Sequence, residues 1–440
     1  MMSLQDNSTA IVHRLQKAGF EAYWVGGCVR DFLLGREPVD YDVATSAQPE
    51  QIEALFPRTI PVGKQFGVML VVEDGQQVQV ATFRAEADYM DGRHPARVEF
   101  SNARADALRR DFTVNGLFFD PVRQQLHDWV GGEGDLRARI LRTIGSPAER
   151  FAEDHLRLLR AVRLAAQLGF DIEHETFEAI GSNAIKIRSV SAERIREELM
   201  KLFRPPHAAH GLELLRQTGL LEQVLPELAL TITCKQSPDF HPEGTVFNHL
   251  RLMLEHSPTD AHESLPWAVL MHDIAKPPTA SRDPDGTIHF YGHEKLGAQM
   301  AEEILRRLRF PRKQIDEVVQ CVLCHMQFKD VRHMRKSTLR RLLMRETFPL
   351  ELALHRLDCL GSHGQLDNYN YLVEQSAELN RTSEVKPPLL RGDDLIALGM
   401  APGPAMGAML AEIREKQLQD ELKTHDEALA WARQRLPADR

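Results

Sequence analysis

The chain has 440 residues and a mass of 50.0 kDa, which is long for one compact core and predicts two to four domains. Its hydrophobic share of 43% and charged share of 27% are typical of folded proteins, and the longest apolar stretches fall well short of the roughly 20 residues that a membrane span requires. The net charge of −9 argues against a globally basic nucleic-acid binder, although arginines cluster locally. The polar start of the chain and five cysteines without a spaced framework predict a cytoplasmic protein with free thiols and no membrane partner.

The part of the chain up to about residue 144 alternates between predicted strands and helices. Gly26 and Gly27 predict a turn that opens a helix over residues 28–34. Backbone N–H groups at such a turn favour a phosphate, and Arg30 in the first helical turn could bind it. An ordinary turn is the alternative for this motif alone. Three strands are predicted, the last two joined as a hairpin by Glu-Asp-Gly-Gln-Gln: 21–25, 66–72 and 78–83.

Two carboxylates alternate with β-forming residues in the sequence Val-Asp-Tyr-Asp-Val at positions 39–43. On a strand, Asp40 and Asp42 would point to one face and their three neighbours to the other. Carboxylates on one face repel each other unless a cation lies between them, and oxygen ligands are those that Mg²⁺ prefers. The pattern therefore predicts a Mg²⁺ site, with a chance Asp-x-Asp turn as the alternative when the motif is taken alone.

A third polar run, Arg-Arg-Asp-Phe-Thr-Val-Asn, occupies residues 109–115. It places the cation of Arg110, the anion of Asp111 and the amide of Asn115 within one short segment. That combination suits a polyanion and a ribose. A salt-bridged helix start is the alternative.

A long helix is predicted over residues 151–168, ended by Gly169. Its polar residues recur every three positions and so form a ridge along the helix, while leucine and valine residues lie on another face. For such a helix alone, a surface ladder of ion pairs is the plain alternative. The ridge consists of Asp154, Arg157, Arg160 and Arg163.

Six motifs occur in a fixed order in the first part of the chain: GGCVRDFLLG, DYD, VATFR, DGRHP, RRDFTVNGLFFD and WVGGEGDL. With them, residues 23–177 resemble the class II nucleotidyltransferases, that is, the bacterial CCA-adding enzymes and their poly(A) polymerase relatives. The resemblance implies an α+β head with a mixed sheet of the polymerase-β type, followed by all-α neck, HD and tail domains. It also implies that Asp40 and Asp42 are the catalytic pair that holds two Mg²⁺ ions.

The same resemblance implies a set of nucleotide-binding residues. Asp154 and Arg157 match the family's E-D-x-x-R element and would read the incoming base, because cytosine and adenine both present an amine beside an acceptor. Arg160 and Arg163 would reach phosphates or hold that pair in place. One departure is Gln79, where many relatives carry an acidic residue, so a third carboxylate ligand is not expected. The remaining implied contacts are Gly26, Gly27, Arg30, Arg110, Asp111 and Asn115.

A histidine-rich segment follows, and its residues have the order of an HD-superfamily metal site: His249, His272, Asp273, His293, His325 and Asp358. The His-Asp pair follows an apolar helix, and buried groups of this kind need partners such as a metal ion. Imidazole ligands favour Ni²⁺, Co²⁺, Mn²⁺ or Zn²⁺, and the full set could hold two ions for phosphoester hydrolysis. The alternative is that the histidines are packing residues. The pair Cys321 and Cys324 has no second half of a zinc motif, which predicts that both lie in a helix core.

Four domains are predicted: a nucleotidyltransferase head (1–145), a helical neck that reads the base and binds RNA (146–235), an HD phosphohydrolase-like domain (240–375) and a C-terminal helical tail that contacts tRNA (385–440). The resemblance implies template-independent addition or repair of the tRNA 3′ CCA from CTP and ATP. The alternatives are a poly(A) or A-adding polymerase, an HD phosphohydrolase acting on RNA ends, and an RNA-binding protein with an inactive polymerase site. A homodimer is one alternative for the oligomeric state.

Overall fold

The computed structural model describes residues 2–89, 95–238, 241–381 and 387–436. The chain folds into two compact units, Met1–Ala229 and Leu230–Arg440. The finer division into four domains stays a prediction. Over the residues just named, no helix is both long enough and apolar enough to cross a membrane.

A mixed sheet of seven strands forms the centre of the first unit, with the order β3-β4-β5-β2-β1-β8-β9 among the strands given below. Neighbours β2 and β5 run parallel, and the other neighbouring pairs run antiparallel. The sheet confirms the predicted α+β head. The strands of this unit are β1 (Ala22–Val25), β2 (Asp42–Thr45), β3 (Thr59–Gly63), β4 (Val68–Glu73), β5 (Gln76–Thr82), β6 (Arg84–Tyr89), β7 (Pro95–Phe100), β8 (Phe118–Asp120), β9 (Gln125–His127), β10 (Ile140–Leu141) and β11 (Asp171–Ile172).

Two turns of the head have the backbone conformations that their sequences predict. Strands β4 and β5 form the predicted hairpin, and its two-residue loop places Asp74 and Gly75 at φ of 50° and 79°. Such paired positive φ values match the right-handed twist of a hairpin. At the end of β1, Gly26 has a φ of 78° and Gly27 begins the next helix, so the predicted Gly-Gly turn is confirmed.

Helices surround the sheet and form the rest of the first unit. The single helix predicted over 151–168 is wrong, because α6 ends at Glu153 and α7 begins at Arg157. Between them Asp154 is extended, and its Oδ1 accepts a hydrogen bond of 3.0 Å from the backbone N–H of Leu156 at the start of α7. The helices are α1 (Leu4–Lys17), α2 (Gly27–Leu33), α3 (Pro49–Leu55), α4 (Ala103–Leu108), α5 (Gly132–Ala138), α6 (Pro147–Glu153), α7 (Arg157–Leu168), α8 (His174–Asn183), α9 (Ala192–Leu202), α10 (Ala208–Gln217), α11 (Leu221–Val224) and α12 (Pro226–Ala229).

The second unit is helical, with one short hairpin of strands β12 (Ser281–Arg282) and β13 (Ile288–His289). Helix α14 is buried on every side, as expected for an element whose residues are apolar all round. Cys321 and Cys324 lie buried on α17, which confirms the prediction that they are helix core. The helices are α13 (Val246–Glu255), α14 (Leu265–His272), α15 (Lys276–Thr279), α16 (His293–Arg307), α17 (Arg312–Cys324), α18 (Lys336–Leu343), α19 (Phe348–Gly361), α20 (Asp367–Arg381), α21 (Gly392–Ala397), α22 (Pro404–Leu418) and α23 (His425–Arg433).

Candidate active site and candidate metal centre

The two aspartates of the head lie at the start of β2, but only one of them belongs to the strand. β2 begins at Asp42, so the predicted strand over residues 39–43 is wrong for the residues before Asp42. Asp42 pairs with Val25, which is the last residue of β1. The backbone turns away at Gly26, so β1 offers no partner to the residues that precede Asp42. Asp40 therefore lies in the exposed segment that leads into β2.

The charge of this pair is not fully balanced by its neighbours. Burial raises the pKa of Asp42, the nearby carboxylate of Asp40 raises it further, and Arg110 only partly opposes them, so that the pKa is about 6. The residue paired with Asp42 on β5 is the neutral Gln79. Two carboxylates with uncompensated charge suit a hard divalent cation such as Mg²⁺, so the donor set fits the implied metal.

A cleft of about 830 Å³ opens beside Asp42 in the first unit. Its lining combines a few carboxylates with many guanidinium groups that come from separate segments of the chain. A concave surface of this kind concentrates positive potential and suits a polyphosphate. The basic side chains are Arg84, Arg109, Arg110, Arg157, Arg160 and Arg194, and the acidic ones are Asp42, Asp111 and Asp154.

Five of the predicted nucleotide-binding residues contact one another next to the Gly-Gly turn. A side chain at Gly26 would place its Cβ 3.0 Å from Nη1 of Arg110, and the φ of 78° at this position favours glycine. Arg30 donates from Nη1 to Oδ1 of Asn115 at 2.7 Å, and Asn115 donates from Nδ2 to Oδ1 of Asp111 at 3.3 Å. The turn and the 109–115 run thus form one connected polar wall.

Two arginines predicted to reach phosphates are engaged by carboxylates. Arg160 donates from Nε to Oδ2 of Asp111 at 3.0 Å. Although burial favours a neutral carboxyl, this guanidinium holds the pKa of Asp111 well below its usual value. Arg163 is absent from the lining of the cleft and instead donates to Glu198 and Gln167. The predicted phosphate contact is therefore unsupported for Arg163, whose position on α7 faces α9.

The predicted base-reading pair lies at the break between α6 and α7. Asp154 accepts a hydrogen bond of 2.7 Å from Nη2 of Arg194 on α9, and Arg157 pairs with Glu153. Both members of the pair line the cleft. The break matters for this placement, because it turns the Asp154 carboxylate out of the helical path while Arg157 remains in the first turn of α7.

The predicted histidine set of the second unit converges in a buried cluster. His249 lies on α13, His272 ends α14 and is followed by Asp273, His293 begins α16, and His325 follows α17. Each of these five side chains is buried. Their ligand atoms form two groups that share Asp273, and within each group all atoms lie within 4.8 Å of one another. One group is His249, His272 and Asp273, and the other is Asp273, His293 and His325.

The imidazole rings direct their Nε2 atoms into this cluster. Nε2 of His293 lies 3.1 Å from Nε2 of His325. Nε2 of His272 is buried 3.3 Å from Oδ2 of Asp273, and it makes no hydrogen bond of good geometry with any described residue. Because each Nδ1 faces a main-chain acceptor, the Nε2 atoms present lone pairs that a shared cation would satisfy. The Nδ1 partners are the carbonyl oxygens of Val269, Phe290 and Val322, at 2.8, 2.8 and 2.7 Å from His272, His293 and His325 respectively.

His249 lies between two carboxylates. Its Nε2 is 3.1 Å from Oδ1 of Asp358, and its Nδ1 is 2.9 Å from Oε1 of Glu243. The same Oε1 lies 2.8 Å from Nδ1 of His241. Although burial lowers the pKa of His249, the two carboxylates raise it to about 9. A metal ion at Nε2 would replace that proton.

Both carboxylate oxygens of Asp273 face the cluster, and Oδ2, which lies 3.3 Å from Nε2 of His272, also contacts a buried lysine. Oδ1 lies 3.5 Å from Nε2 of His293, whereas Oδ2 lies 2.7 Å from Nζ of Lys276. Burial alone would raise the pKa of Asp273, but His272 and Lys276 lower it well below its usual value. The donor set of buried imidazoles and an ionised carboxylate therefore fits a transition metal.

Three segments of the chain match models of known protein families. Residues 22–142 match the family model "Poly A polymerase head domain". Residues 169–231 match "Probable RNA and SrmB-binding site of polymerase A", and residues 292–432 match domain 2 of tRNA nucleotidyltransferases. These three models do not include an HD domain, so that interpretation stays a proposal.

Curated relatives are similar to about half of the chain. A CCA-adding enzyme of Geobacillus sp. (strain WCH70) is 46% identical over 211 residues, and one of Bacillus pumilus is 41% identical over 215 residues. These alignments cover 48% and 49% of this chain, and 52% and 54% of the relatives. The chain thus spans about half the length of the curated relatives that it matches.

Solved structures resemble the chain over nearly its whole length. The CCA-adding enzyme of Bacillus stearothermophilus in complex with CTP has a TM-score of 0.77 and 28% identity, with 99% of this chain and 98% of that chain covered. The Thermotoga maritima CCA-adding enzyme complexed with tRNA has a TM-score of 0.60 and 18% identity, with 98% and 95% covered, and shows likeness of fold.

Several residues of these sites were not predicted from the sequence, among them Arg194, His241 and Glu243. Arg194 reaches the cleft beside the head domain from α9, far along the chain, and no local motif marks it. His241 and Glu243 precede the histidine set and contact His249. Their signal is the short sequence His-Pro-Glu-Gly immediately before α13, which reads as a loop when no partner is known.

Proposed function

We propose that the chain is a template-independent tRNA nucleotidyltransferase that adds or repairs the 3′ CCA of tRNA from CTP and ATP. The observation that carries the proposal is the basic cleft beside Asp42 within a head domain of the poly(A) polymerase type. Relatives that are named CCA-adding enzymes, one of them solved with CTP, support the same activity. A poly(A) polymerase is the second candidate, because the matched head domain carries that name.

Each part of the cleft has a role in this proposal. Asp40 and Asp42 would hold Mg²⁺, which when bound promotes attack by the RNA 3′-hydroxyl and neutralises the departing pyrophosphate. Arg110 would bind the triphosphate, because its guanidinium lies against Gly26 at the polar wall. Arg160 would hold that wall in place through Asp111.

Asp154 and Arg157 would select the base. A carboxylate accepts from the exocyclic amine of cytosine or adenine, and a guanidinium donates to the neighbouring acceptor, whereas uracil and guanine present the opposite pattern there. Arg194 would orient Asp154, because it already donates to the second carboxylate oxygen while the first accepts from the backbone of α7. That arrangement fixes the carboxylate plane before a nucleotide arrives.

The test of base selection compares Asp154→Ala and Arg157→Ala with wild type in single-turnover incorporation from each of the four NTPs. A lost hydrogen bond to a buried partner costs about 1–3 kcal/mol, so discrimination against UTP and GTP should fall by roughly five- to a hundredfold. Arg137→Ala is the matched control, since Arg137 is a largely exposed arginine of the first unit that pairs with Glu133. If both variants slow incorporation equally for all four nucleotides, base selection by this pair is refuted.

We propose a second activity at the histidine cluster, namely hydrolysis of phosphoesters such as the 2′,3′-cyclic ends of damaged RNA. His272, Asp273, His293 and His325 would hold a transition metal, which when bound supplies a water of lowered pKa. The facing Nε2 atoms of two histidines, and the buried Nε2 of His272 that makes no hydrogen bond of good geometry among the described residues, support this. His249 and Asp358 would be ligands of a second metal ion.

The test is metal analysis of the full chain together with hydrolysis of an RNA that ends in a 2′,3′-cyclic phosphate. Replacing His272 and Asp273 together by alanine should remove metal and hydrolysis and leave CCA addition unchanged. If the wild-type chain binds neither Mn²⁺, Ni²⁺, Co²⁺ nor Zn²⁺, the histidines are packing residues.

A further inference from the structure

An exposed aromatic side chain lies between the hairpin of the second unit and α16. Tyr291 is 76% exposed, which is unusual for a large ring. One face of the ring stacks on His289, with ring centroids 5.1 Å apart and an angle of 13° between the planes. Because most of the tyrosine remains exposed, a flat ligand can reach its other face.

The position of the stack is fixed by the hairpin. His289 belongs to β13 and pairs with Ser281 across the hairpin, and its Nε2 lies 2.9 Å from Oδ2 of Asp283. The backbone N–H of Asp283 donates to the carbonyl of Thr287 at 2.9 Å and closes the hairpin turn. The imidazole is thus held in one orientation before anything binds to the tyrosine beside it.

The stack is directly connected to the histidine cluster. Tyr291 and His293 are two residues apart, so their Cα atoms are separated by at most about 7 Å. Between β13 and α16, the carbonyl oxygen of Phe290 accepts a hydrogen bond of 2.8 Å from Nδ1 of His293. The Phe290 ring lies 5.4 Å from Nζ of Lys276, which in turn holds Asp273. Through Phe290, the backbone segment that carries Tyr291 and the cluster therefore belong to one assembly.

We propose that Tyr291, supported by His289, is a stacking platform for the terminal base of an RNA whose 3′-end phosphate enters the histidine cluster. The inference rests on the proposed phosphoesterase function of that cluster. Every nucleobase has an aromatic face, so stacking gives affinity without selecting a sequence, as suits an enzyme that acts on RNA ends of varied sequence. Purine ends should bind more tightly than pyrimidine ends because they stack more strongly.

The test measures binding of a trinucleotide that ends in 2-aminopurine 3′-phosphate to the full chain in the presence of Mn²⁺. The 3′-phosphate blocks extension, and stacking quenches 2-aminopurine fluorescence. Tyr291→Ala should remove most of the quenching and raise Kd by about five- to a hundredfold, whereas Tyr291→Phe should stay within about twofold of wild type. Tyr369→Ala is the matched control, a tyrosine on α20 outside this assembly.

A second trinucleotide with an abasic terminal ribose 3′-phosphate separates stacking from loss of folding. Tyr291→Ala should bind it as wild type does, because no base is present to stack. If Tyr291→Ala binds and quenches the 2-aminopurine end as wild type does, the platform is refuted. Hydrolysis of a 2′,3′-cyclic end by the wild-type chain is measured separately, so quenching that depends on Tyr291 without hydrolysis would refute the phosphoesterase and retain the platform.

Discussion

Replacing Asp42 with asparagine should abolish nucleotide incorporation and yet stabilise the metal-free fold. Asp42 is largely buried beside Asp40, and this environment raises its pKa from 3.8 to about 6, with burial as the larger cause and the neighbouring carboxylate as the second. At neutral pH the protein therefore holds a carboxylate that would be better accommodated in its protonated form. Asparagine has nearly the same shape and carries no charge.

The size of the stabilisation by Asp42→Asn follows from the pKa shift of Asp42. About two pKa units at about 1.4 kcal/mol per unit give close to 3 kcal/mol, and partial exposure to water reduces this to about 2 kcal/mol. Because the folded-state pKa is raised, the stability linked to protonated Asp42 is fully present below about pH 4 and is lost as pH rises through about 6. The variant should therefore match wild type near pH 4 and exceed it by about 2 kcal/mol at pH 8.

The assay is urea unfolding with EDTA from pH 4 to pH 8, followed by tryptophan fluorescence. Asp40→Asn is the graded control. It removes only the repulsion between the two carboxylates, so it should stabilise the metal-free fold less than Asp42→Asn does. Added Mg²⁺ should stabilise wild type and leave Asp42→Asn nearly unaffected. An Asp42→Asn protein that is less stable than wild type at pH 8, or a difference that does not change with pH, would contradict this reasoning.

Three further predictions concern other contacts. Arg160→Met should cost about 3 kcal/mol in urea unfolding because it leaves Asp111 buried without its cation, and adding Asp111→Asn should recover most of that loss. Glu243→Ala should weaken Mn²⁺ binding by about 10–100-fold in calorimetry, because this carboxylate orients His249; unchanged affinity would assign it a packing role. Gly132→Ala should destabilise the head by more than about 2 kcal/mol in the same unfolding assay, since its Cβ would lie 2.2 Å from a backbone oxygen.

Features that depend on neighbouring residues could be predicted from the sequence. The Asp74-Gly75 loop and the end of α7 at Gly169 are set by backbone conformations that glycine and aspartate adopt easily, and both are confirmed. The family resemblance carried by the motifs of the head implied the mixed sheet, which the structure confirms. The order of the histidine set predicted that its members converge, and the buried side chains of His272 and His293 do belong to groups whose ligand atoms lie close together.

Features that depend on distant contacts could not be predicted. The start of β2 is decided by its partner β1, and the extended backbone at Asp154 accompanies a hydrogen bond from Arg194, forty residues later in the chain. A sequence pattern carries no record of such partners, so a continuous helix was the simpler prediction. Glu243 was missed for the same reason, because its role depends on His249 across a loop.

The most direct test of the central proposal uses a tRNA that ends at the position before its CCA. With CTP, ATP and Mg²⁺, the account predicts a product three nucleotides longer, after which synthesis stops, and Asp42→Asn should give no product. CTP alone should give a product that stops before the final A. Long A-tails made from ATP with CTP ignored would contradict CCA addition and favour the poly(A) polymerase.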